Sequence, residues 1–283
     1  MKSTPRKKRT SPVRDRLESL KGQKKTALMP FLTIGWPNPD AFVEIALNVA
    51  RNGADVIELG MPFSDPVADG PMIQKTSREA LDQGVTFDRG LELASKVAAA
   101  VDVPLVLMTY YNPLLRGGLE ARCGAIAAAG IKGLIVPDLP PEEGTPLQDA
   151  ANAHNLDLIY LVSPTSSRAR VQLICLHSRG FLYVVSSLGV TGTREDLAPR
   201  LAEFIQECRR FTVLPLCVGF GISTPEQARE VGAMADGCII GSALLRRIES
   251  AAPDQWVFAA GNFTHQMRGA LDALARERSS RRA

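Results

Sequence analysis

Eight short apolar runs recur along this chain of 283 residues, and segments with a helical spacing of apolar residues separate them. Each run is almost continuously apolar, which is typical of strands buried on both faces of a parallel sheet. The runs are LMPFLTIG (28–35), DVIELG (55–60), PLVLMTYY (104–111), IKGLIVPD (131–138), LDLIYLVSP (156–164), FLYVVSS (181–187), VLPLCVGFG (213–221) and DGCIIGSAL (236–244).

The segments between the runs begin with helix signals. Asn38 followed by Pro39 is a helix N-cap with proline at the first helical position, and residues 224–227 read as a capping box. Eight strand–helix units in about 250 residues predict a single (β/α)8 TIM barrel, with an extra helix after the loop that follows the second strand. A doubly wound open sheet is the alternative, but it normally carries a glycine fingerprint after strand one, where TIGWPNPD has a single glycine.

The basic residues are concentrated at the two ends of the chain. Residues 1–16 contain seven Lys or Arg, residues 276–283 contain four Arg, and the remaining body has 22 basic and 28 acidic residues. We therefore predict a basic, disordered extension over 1–20, one barrel domain over 21–275 and a basic tail over 276–283.

The acidic body does not indicate a nucleic-acid-binding face, and no run is long enough to span a membrane. No apolar signal segment follows the basic end, and the five cysteines are scattered, so we expect a cytoplasmic protein.

The stretch IELGMPFSDPVADGPMIQ (57–74) joins the second strand to the next helix and carries three carboxylates. In such barrels the reaction takes place at the carboxyl ends of the strands. Glu58 lies within the strand, where a charged side chain must be paired or take part in chemistry, so it is either a salt-bridged structural acid or a proton donor. Asp65 is best explained as a turn-capping residue, whereas for Asp69 a turn-capping and a functional role both remain open.

Glycines follow the last three strands. Gly219 and Gly221 end strand seven, Gly241 and Ser242 end strand eight, and SSLGVTGTRED after strand six resembles a mobile lid. These glycines are either packing turns or backbone that approaches an anion, and their place after strands seven and eight favours a phosphate site.

The strand ends lack the lysine and histidine residues that other barrel enzymes use for catalysis. No strand ends in a lysine suited to a Schiff base, since Lys132 begins strand four, and His154, His177 and His265 lie away from strand ends. We therefore predict no metal. The residues that remain favour acid–base chemistry by carboxylates, with Tyr183, on a small phosphorylated molecule.

Eight motifs in the chain resemble the family of tryptophan synthase α subunits, in that family's order and spacing. The resemblance covers residues 25–270. The motifs are PFLTIG, IELGMPFSDPVADGPMIQ, LMTYYNP, GLIVPDLPPEE, LVSPTS, SSLGVTG, VGFGIS and GSAL.

The resemblance implies a (β/α)8 barrel that cleaves indole-3-glycerol phosphate into indole and glyceraldehyde 3-phosphate. It implies that Glu58 is the main acid/base and that Asp69 stabilises the positive charge that develops on the indole nitrogen. Tyr183 matches a tyrosine near the glycerol portion of the substrate, and Thr191 matches a lid threonine. The remaining matches are the phosphate-binding residues Gly192, Gly221, Gly241 and Ser242 and the indole-pocket residues Phe31, Leu107 and Ile240.

The resemblance also implies a partner. The α chain of this family binds no cofactor, and it passes indole to a β subunit that holds pyridoxal phosphate, in an α2β2 heterotetramer. Three alternatives stay open: a free-standing lyase that releases indole, a catalytically silent barrel that activates a partner, and another phosphosugar barrel enzyme. The last explains the glycines but not the loop after strand two.

Overall fold

Nine parallel strand segments form one sheet in the computed structural model, which describes residues 10–185, 194–219 and 221–280 but not the side chains of 194–198. Every segment falls in one of the eight predicted runs, except that β1 begins one residue before its run, at Ala27. The segments are β1 (Ala27–Thr33), β2 (Ile57–Gly60), β3 (Leu105–Met108), β4 (Gly133–Ile135), β5 (Asp157–Ile159), β6 (Leu161–Val162), β7 (Leu182–Val185), β8 (Leu216–Gly219) and β9 (Gly237–Ile240).

The sheet closes on itself through the fifth run. The strands are hydrogen-bonded in the order β5-β4-β3-β2-β1-β9-β8-β7-β6, so β5 and β6 are the two ends of the sheet. Only Tyr160 separates these two segments, and its carbonyl accepts a hydrogen bond from the amide of Tyr183 in β7 at 3.2 Å. One stretch of chain therefore supplies both edges, and the predicted eight-stranded (β/α)8 barrel is confirmed.

Helices surround the strands on the outside of the barrel. Two of them, Pro71–Asp82 and Phe87–Ala98, lie between β2 and β3, which confirms the extra helix after the strand-two loop. The helices are α1 (Pro12–Gly22), α2 (Pro39–Arg51), α3 (Pro71–Asp82), α4 (Phe87–Ala98), α5 (Tyr111–Arg116), α6 (Leu119–Ala128), α7 (Thr145–Ala153), α8 (Arg168–His177), α9 (Arg194–Cys208), α10 (Pro225–Met234), α11 (Ser242–Glu249) and α12 (Trp256–Ser280).

Both helix starts predicted from capping signals are correct. The side chain of Asn38 accepts a hydrogen bond from the amide of Ala41 at 2.9 Å, and Thr224 and Gln227 form the capping box of α10. Within the described ranges, no helix combines the length and the apolar character that crossing a membrane requires.

The part of the predicted N-terminal extension that the structure describes is more ordered than the sequence predicts. Helix α1 occupies most of the second half of the predicted extension, with Leu17 fully buried, and α12 continues through residue 280. Arg16 pairs with the buried Asp55 at 2.7 Å and Lys21 pairs with the buried Asp236 at 3.3 Å. Because these aspartates precede β2 and β9, α1 packs across the amino-terminal end of the barrel. The prediction followed the basic charge and did not use the helical spacing of Val13, Leu17 and Leu20.

The docking of α1 makes a stability prediction. Leu17→Ala removes a fully buried side chain, so we expect the free energy of unfolding in urea to fall by about 2–5 kcal/mol. Leu176→Ala makes the same change on α8 at a side chain that is 79% exposed, and we expect a change within about 0.5 kcal/mol. Equal, small effects of the two substitutions would show that α1 is not packed on the barrel.

Candidate active site

A cavity of about 110 Å³ lies at the carboxyl ends of the strands. Strands β1, β2, β3, β7 and β9 supply one part of its wall, and the segments after β2, β8 and β9 supply the rest. The lining residues are Phe31, Glu58, Asp69, Gly70, Ile73, Met108, Tyr183, Gly221, Ile222, Ser223, Ile239, Gly241, Ser242, Ala243 and Arg246. The sequence-predicted residues Phe31, Glu58, Asp69, Tyr183, Gly221, Gly241 and Ser242 thus meet in one place.

Glu58 reaches the cavity from the interior of the barrel. It stands beside Phe31 in the register of β1 and β2, and only 1% of its surface is exposed. Its Oε2 has no hydrogen-bond partner among the described residues, and none of their basic groups forms an ion pair with it. Burial, together with the nearby charge of Asp69, raises the pKa of Glu58 from 4.5 to about 8. This environment favours a carboxyl that carries a proton at neutral pH, and it does not favour a salt-bridged structural acid.

Asp69 enters the cavity from the loop between β2 and α3. It directly precedes Gly70, the N-cap of α3, and its backbone carbonyl accepts a hydrogen bond from the Gln74 side chain at 2.8 Å. Burial raises the pKa of Asp69, while a hydrogen bond from Tyr110 lowers it. Asp69 thus shares the cavity with Glu58 but is less buried than Glu58. Asp65, by contrast, is exposed and does not line the cavity.

Tyr110 fixes the loop that carries Asp69. This buried tyrosine follows β3, its hydroxyl accepts a hydrogen bond from the amide of Ala68 at 3.1 Å, and its ring stacks on Phe63 with centroids 5.2 Å apart. One side chain thus contacts the loop at three points: Phe63, Ala68 and Asp69. Sequence reasoning missed this residue, and the available signal was the tyrosine pair at the carboxyl end of the third run.

Tyr183 and Gly219 occupy neighbouring strands and fit each other closely. Tyr183 is 6% exposed, and burial raises the pKa of its phenol well above the usual value, so the hydroxyl stays neutral. A Cβ atom at Gly219 would lie 2.4 Å from the Tyr183 hydroxyl, which leaves no room for a larger residue there. The sequence allowed Gly219 to be either a packing turn or backbone that approaches an anion, and this close contact with Tyr183 supports packing.

One part of the cavity wall, formed by the segments after β8 and β9, is suited to an anion. Gly221 lines it with a φ of +81°, a conformation that favours glycine, and Gly241 is the N-cap of α11, which begins at Ser242. The first amides of a helix have no partner within the helix, and the helix dipole adds positive potential at this end. Together these segments place backbone donors around one end of the cavity.

Two of the predicted site residues that the structure describes, Leu107 and Ile240, do not line the cavity. Leu107 and Ile240 are fully buried in the sheet, and their neighbours Met108 and Ile239 line the cavity instead. Side chains alternate between the two faces of a strand, so an assignment displaced by one residue selects the opposite face. The predicted lid residue Thr191 and phosphate residue Gly192 lie outside the described residues. Among the described residues, no group of three or more His, Cys, Asp or Glu side chains is placed to hold a metal ion.

These features define an enzyme class before any relative is considered. A (β/α)8 barrel that brings a buried carboxyl with a raised pKa, a second acidic side chain and the start of a helix together around one small cavity is suited to acid–base catalysis on a small anionic molecule. A family model described as tryptophan synthase alpha chain matches residues 17–271. The chain belongs to this family, and it is a lyase.

Individual relatives agree with this assignment over nearly the whole chain. The tryptophan synthase alpha chain of Chloroflexus aggregans is 46% identical over 256 residues, which cover 90% of this chain and 96% of that protein. The structure is similar to tryptophan synthase subunit alpha from Legionella pneumophila, with a TM-score of 0.86, 37% identity and coverage of 93% of this chain and 99% of that one. It is also similar to a chain of the aminoacrylate-bound form of tryptophan synthase from M. tuberculosis, with a TM-score of 0.84, 31% identity and coverage of 93% and 100%.

The raised pKa of Glu58 makes a prediction about stability. The unfolded chain releases this proton near pH 4.5 and the folded chain near pH 8, so between these values the folded state binds the extra proton. The contribution of Glu58 to the free energy of unfolding therefore falls as the pH rises through this window. We expect Glu58→Gln to gain stability relative to the wild type from pH 5 to 8, with a constant difference above that.

Urea unfolding at a series of pH values measures this difference. Glu44→Gln, at an exposed position on α2, is the matched control and should follow the wild-type curve. Parallel curves for Glu58→Gln and the wild type would show that Glu58 has an ordinary pKa in the fold.

Proposed function

We propose that this chain cleaves indole-3-glycerol phosphate into indole and glyceraldehyde 3-phosphate by a retro-aldol reaction. The observation that carries the proposal is the buried carboxyl of Glu58, whose pKa is raised to about 8 and which shares its cavity with Asp69. A group that holds its proton at neutral pH and lies at the carboxyl end of a barrel strand is suited to act as a general acid.

Protonation of the indole ring is the first step. Glu58 gives its proton to C3 of the indole, which makes this carbon tetrahedral and places a positive charge on the ring nitrogen. The carboxylate of Asp69 would stabilise that charge, because both side chains line the same cavity. The protonated indole then serves as the electron sink, so the step requires no Schiff-base lysine.

Cleavage of the carbon–carbon bond is the second step. Glu58 is now a carboxylate, and it accepts the proton of the glycerol hydroxyl next to the bond. The oxygen forms a carbonyl, the bond to C3 breaks, and its electron pair returns to the ring and neutralises the nitrogen. Glu58 ends the cycle protonated, so one carboxyl acts first as acid and then as base. Tyr183 supplies a neutral phenol near the glycerol chain.

The substrate phosphate would bind at the start of α11. Gly221, Gly241 and Ser242 line this end of the cavity, and a helix start is a favourable place for a phosphate. We assign Gly192 to the same phosphate site and Thr191 to a lid contact with Asp69, on the basis of the family resemblance. Phe31 lines the same cavity and would contact the indole ring, as would Met108 and Ile239.

We also propose that the chain works with a β subunit that holds pyridoxal phosphate, as an α2β2 complex in the cytoplasm, and itself uses no cofactor. The loop after β2 supports this assignment, because Val67 at its tip is 82% exposed although it is apolar. The same loop carries Asp69, so a partner that covers the tip would act on the position of a catalytic side chain.

The acid–base role of Glu58 is tested by Glu58→Gln. The amide keeps the shape of the side chain but carries no transferable carboxyl proton, so we expect kcat to fall by about 10²–10⁴-fold. Binding of indole-3-propanol phosphate, a substrate analogue without the glycerol hydroxyls, should change little. Glu44→Gln serves again as the control with wild-type activity, and near-normal turnover by Glu58→Gln would refute the assignment.

Indole formation with and without a β subunit and serine tests the partner. Slow turnover alone that rises strongly when the β subunit is added is the expected result. Undiminished turnover without the partner would favour a free-standing lyase, and no turnover in either condition would favour a catalytically silent barrel.

A further inference from the structure

The cavity presents an electrostatic problem to a phosphorylated substrate. The acidic side chain of Asp69 shares a space of about 110 Å³ with the end of the cavity where the phosphate would bind, and Glu58 beside it contributes no positive charge. A phosphate monoester carries a charge of about −1.5 to −2 at neutral pH. Backbone amides and a helix dipole contribute only partial positive charges, so a full positive charge at this site would strengthen binding considerably.

Arg246 is the only basic residue among the described residues that line the cavity. It lies on α11 four residues after Ser242, so the two side chains project from the same face of the helix. It forms no ion pair with any other described residue, whereas Lys75 on the neighbouring α3 is already paired with Glu249 and Glu79. The guanidinium of Arg246 is therefore available to an incoming anion.

The adjacent Arg247 faces a different environment. Its guanidinium carbon lies 5.7 Å from the centre of the Phe263 ring on α12, and it is absent from the cavity wall. Arg246 and Arg247 are both exposed on α11, but only Arg246 contacts the cavity.

We propose that Arg246 is a phosphate-binding residue of this enzyme, which completes the anion site from the solvent side of α11. Its planar guanidinium offers two parallel N–H groups to phosphate oxygens, an arrangement that a backbone amide or a lysine does not reproduce. The assignment rests on the proposed function, and it adds a side-chain cation to a site otherwise formed by backbone groups and Ser242.

The contact should contribute to binding more than to chemistry. The phosphate lies at the end of the substrate away from the bond that breaks, and its charge does not change during cleavage. Arg246 therefore stabilises the bound substrate and the transition state about equally, which changes KM and leaves kcat nearly constant. It also makes the cavity selective for phosphorylated over unphosphorylated ligands.

The test compares Arg246→Gln, Arg246→Lys and the matched control Arg247→Gln. For Arg246→Gln we expect KM for indole-3-glycerol phosphate to rise about tenfold, with kcat within about twofold of the wild type. Arg246→Lys should recover part of the loss, because it restores the charge without the planar fork. Arg247→Gln makes the same change in net charge on the same helix and should leave both constants at wild-type values.

Calorimetry with two analogues separates this proposal from the proposed function. Arg246→Gln should weaken binding of indole-3-propanol phosphate about tenfold and leave binding of unphosphorylated indole-3-propanol unchanged. A wild-type chain that binds the phosphorylated analogue but does not cleave the substrate would overturn the proposed function alone. Equal effects of Arg246→Gln and Arg247→Gln, or equal losses for both analogues, would overturn the role of Arg246. Failure of the wild type to bind the phosphorylated analogue would overturn both.

Discussion

The burial of one carboxyl inside a closed parallel barrel is the constraint on which the active site depends. Strand register places Glu58 between Phe31 on β1 and Val106 on β3, so its side chain shares their face of the sheet. An ionised carboxylate is costly in such surroundings, and the pKa of Glu58 rises to about 8 as a result. The same burial that makes the residue expensive for stability keeps a proton available for transfer to a carbon atom.

The second carboxyl is held in a different way, and this difference separates the two roles. Asp69 lies on a loop, where Tyr110 donates a hydrogen bond that lowers its pKa against the effect of burial. Glu58 receives no comparable hydrogen bond from the described residues, and the charge of Asp69 raises its pKa further. The two carboxyls of one cavity thus have different surroundings: Glu58 is enclosed by strands, whereas Asp69 accepts a hydrogen bond from a tyrosine that partly offsets the effect of burial on its pKa.

The sequence was sufficient for the barrel, and it selected several residues that the structure brings together in one cavity, because both follow from local patterns. Apolar runs located every strand, and the rule that barrel sites lie at the carboxyl ends of strands selected Glu58, Tyr183, Gly221 and Ser242. Tyr110 and Arg246 escaped notice, since their significance arises from contacts with distant segments. Leu107 was displaced by one residue from the cavity-lining Met108, because a continuously apolar strand has no alternation that marks its inner face. The packing of α1 was missed because charge outweighed apolar spacing in the prediction.

The central claim is that Glu58 holds a proton at neutral pH, and direct titration of its carboxyl tests it most simply. Difference infrared spectroscopy follows the C=O stretch of the protonated carboxyl as the pH rises, with Glu58→Gln as the blank. We predict that the band assigned to Glu58 disappears with a midpoint near pH 8. A midpoint near the ordinary value of 4.5 would mean that the residue is ionised at neutral pH, and it would contradict the role of Glu58 as the acid that starts the reaction.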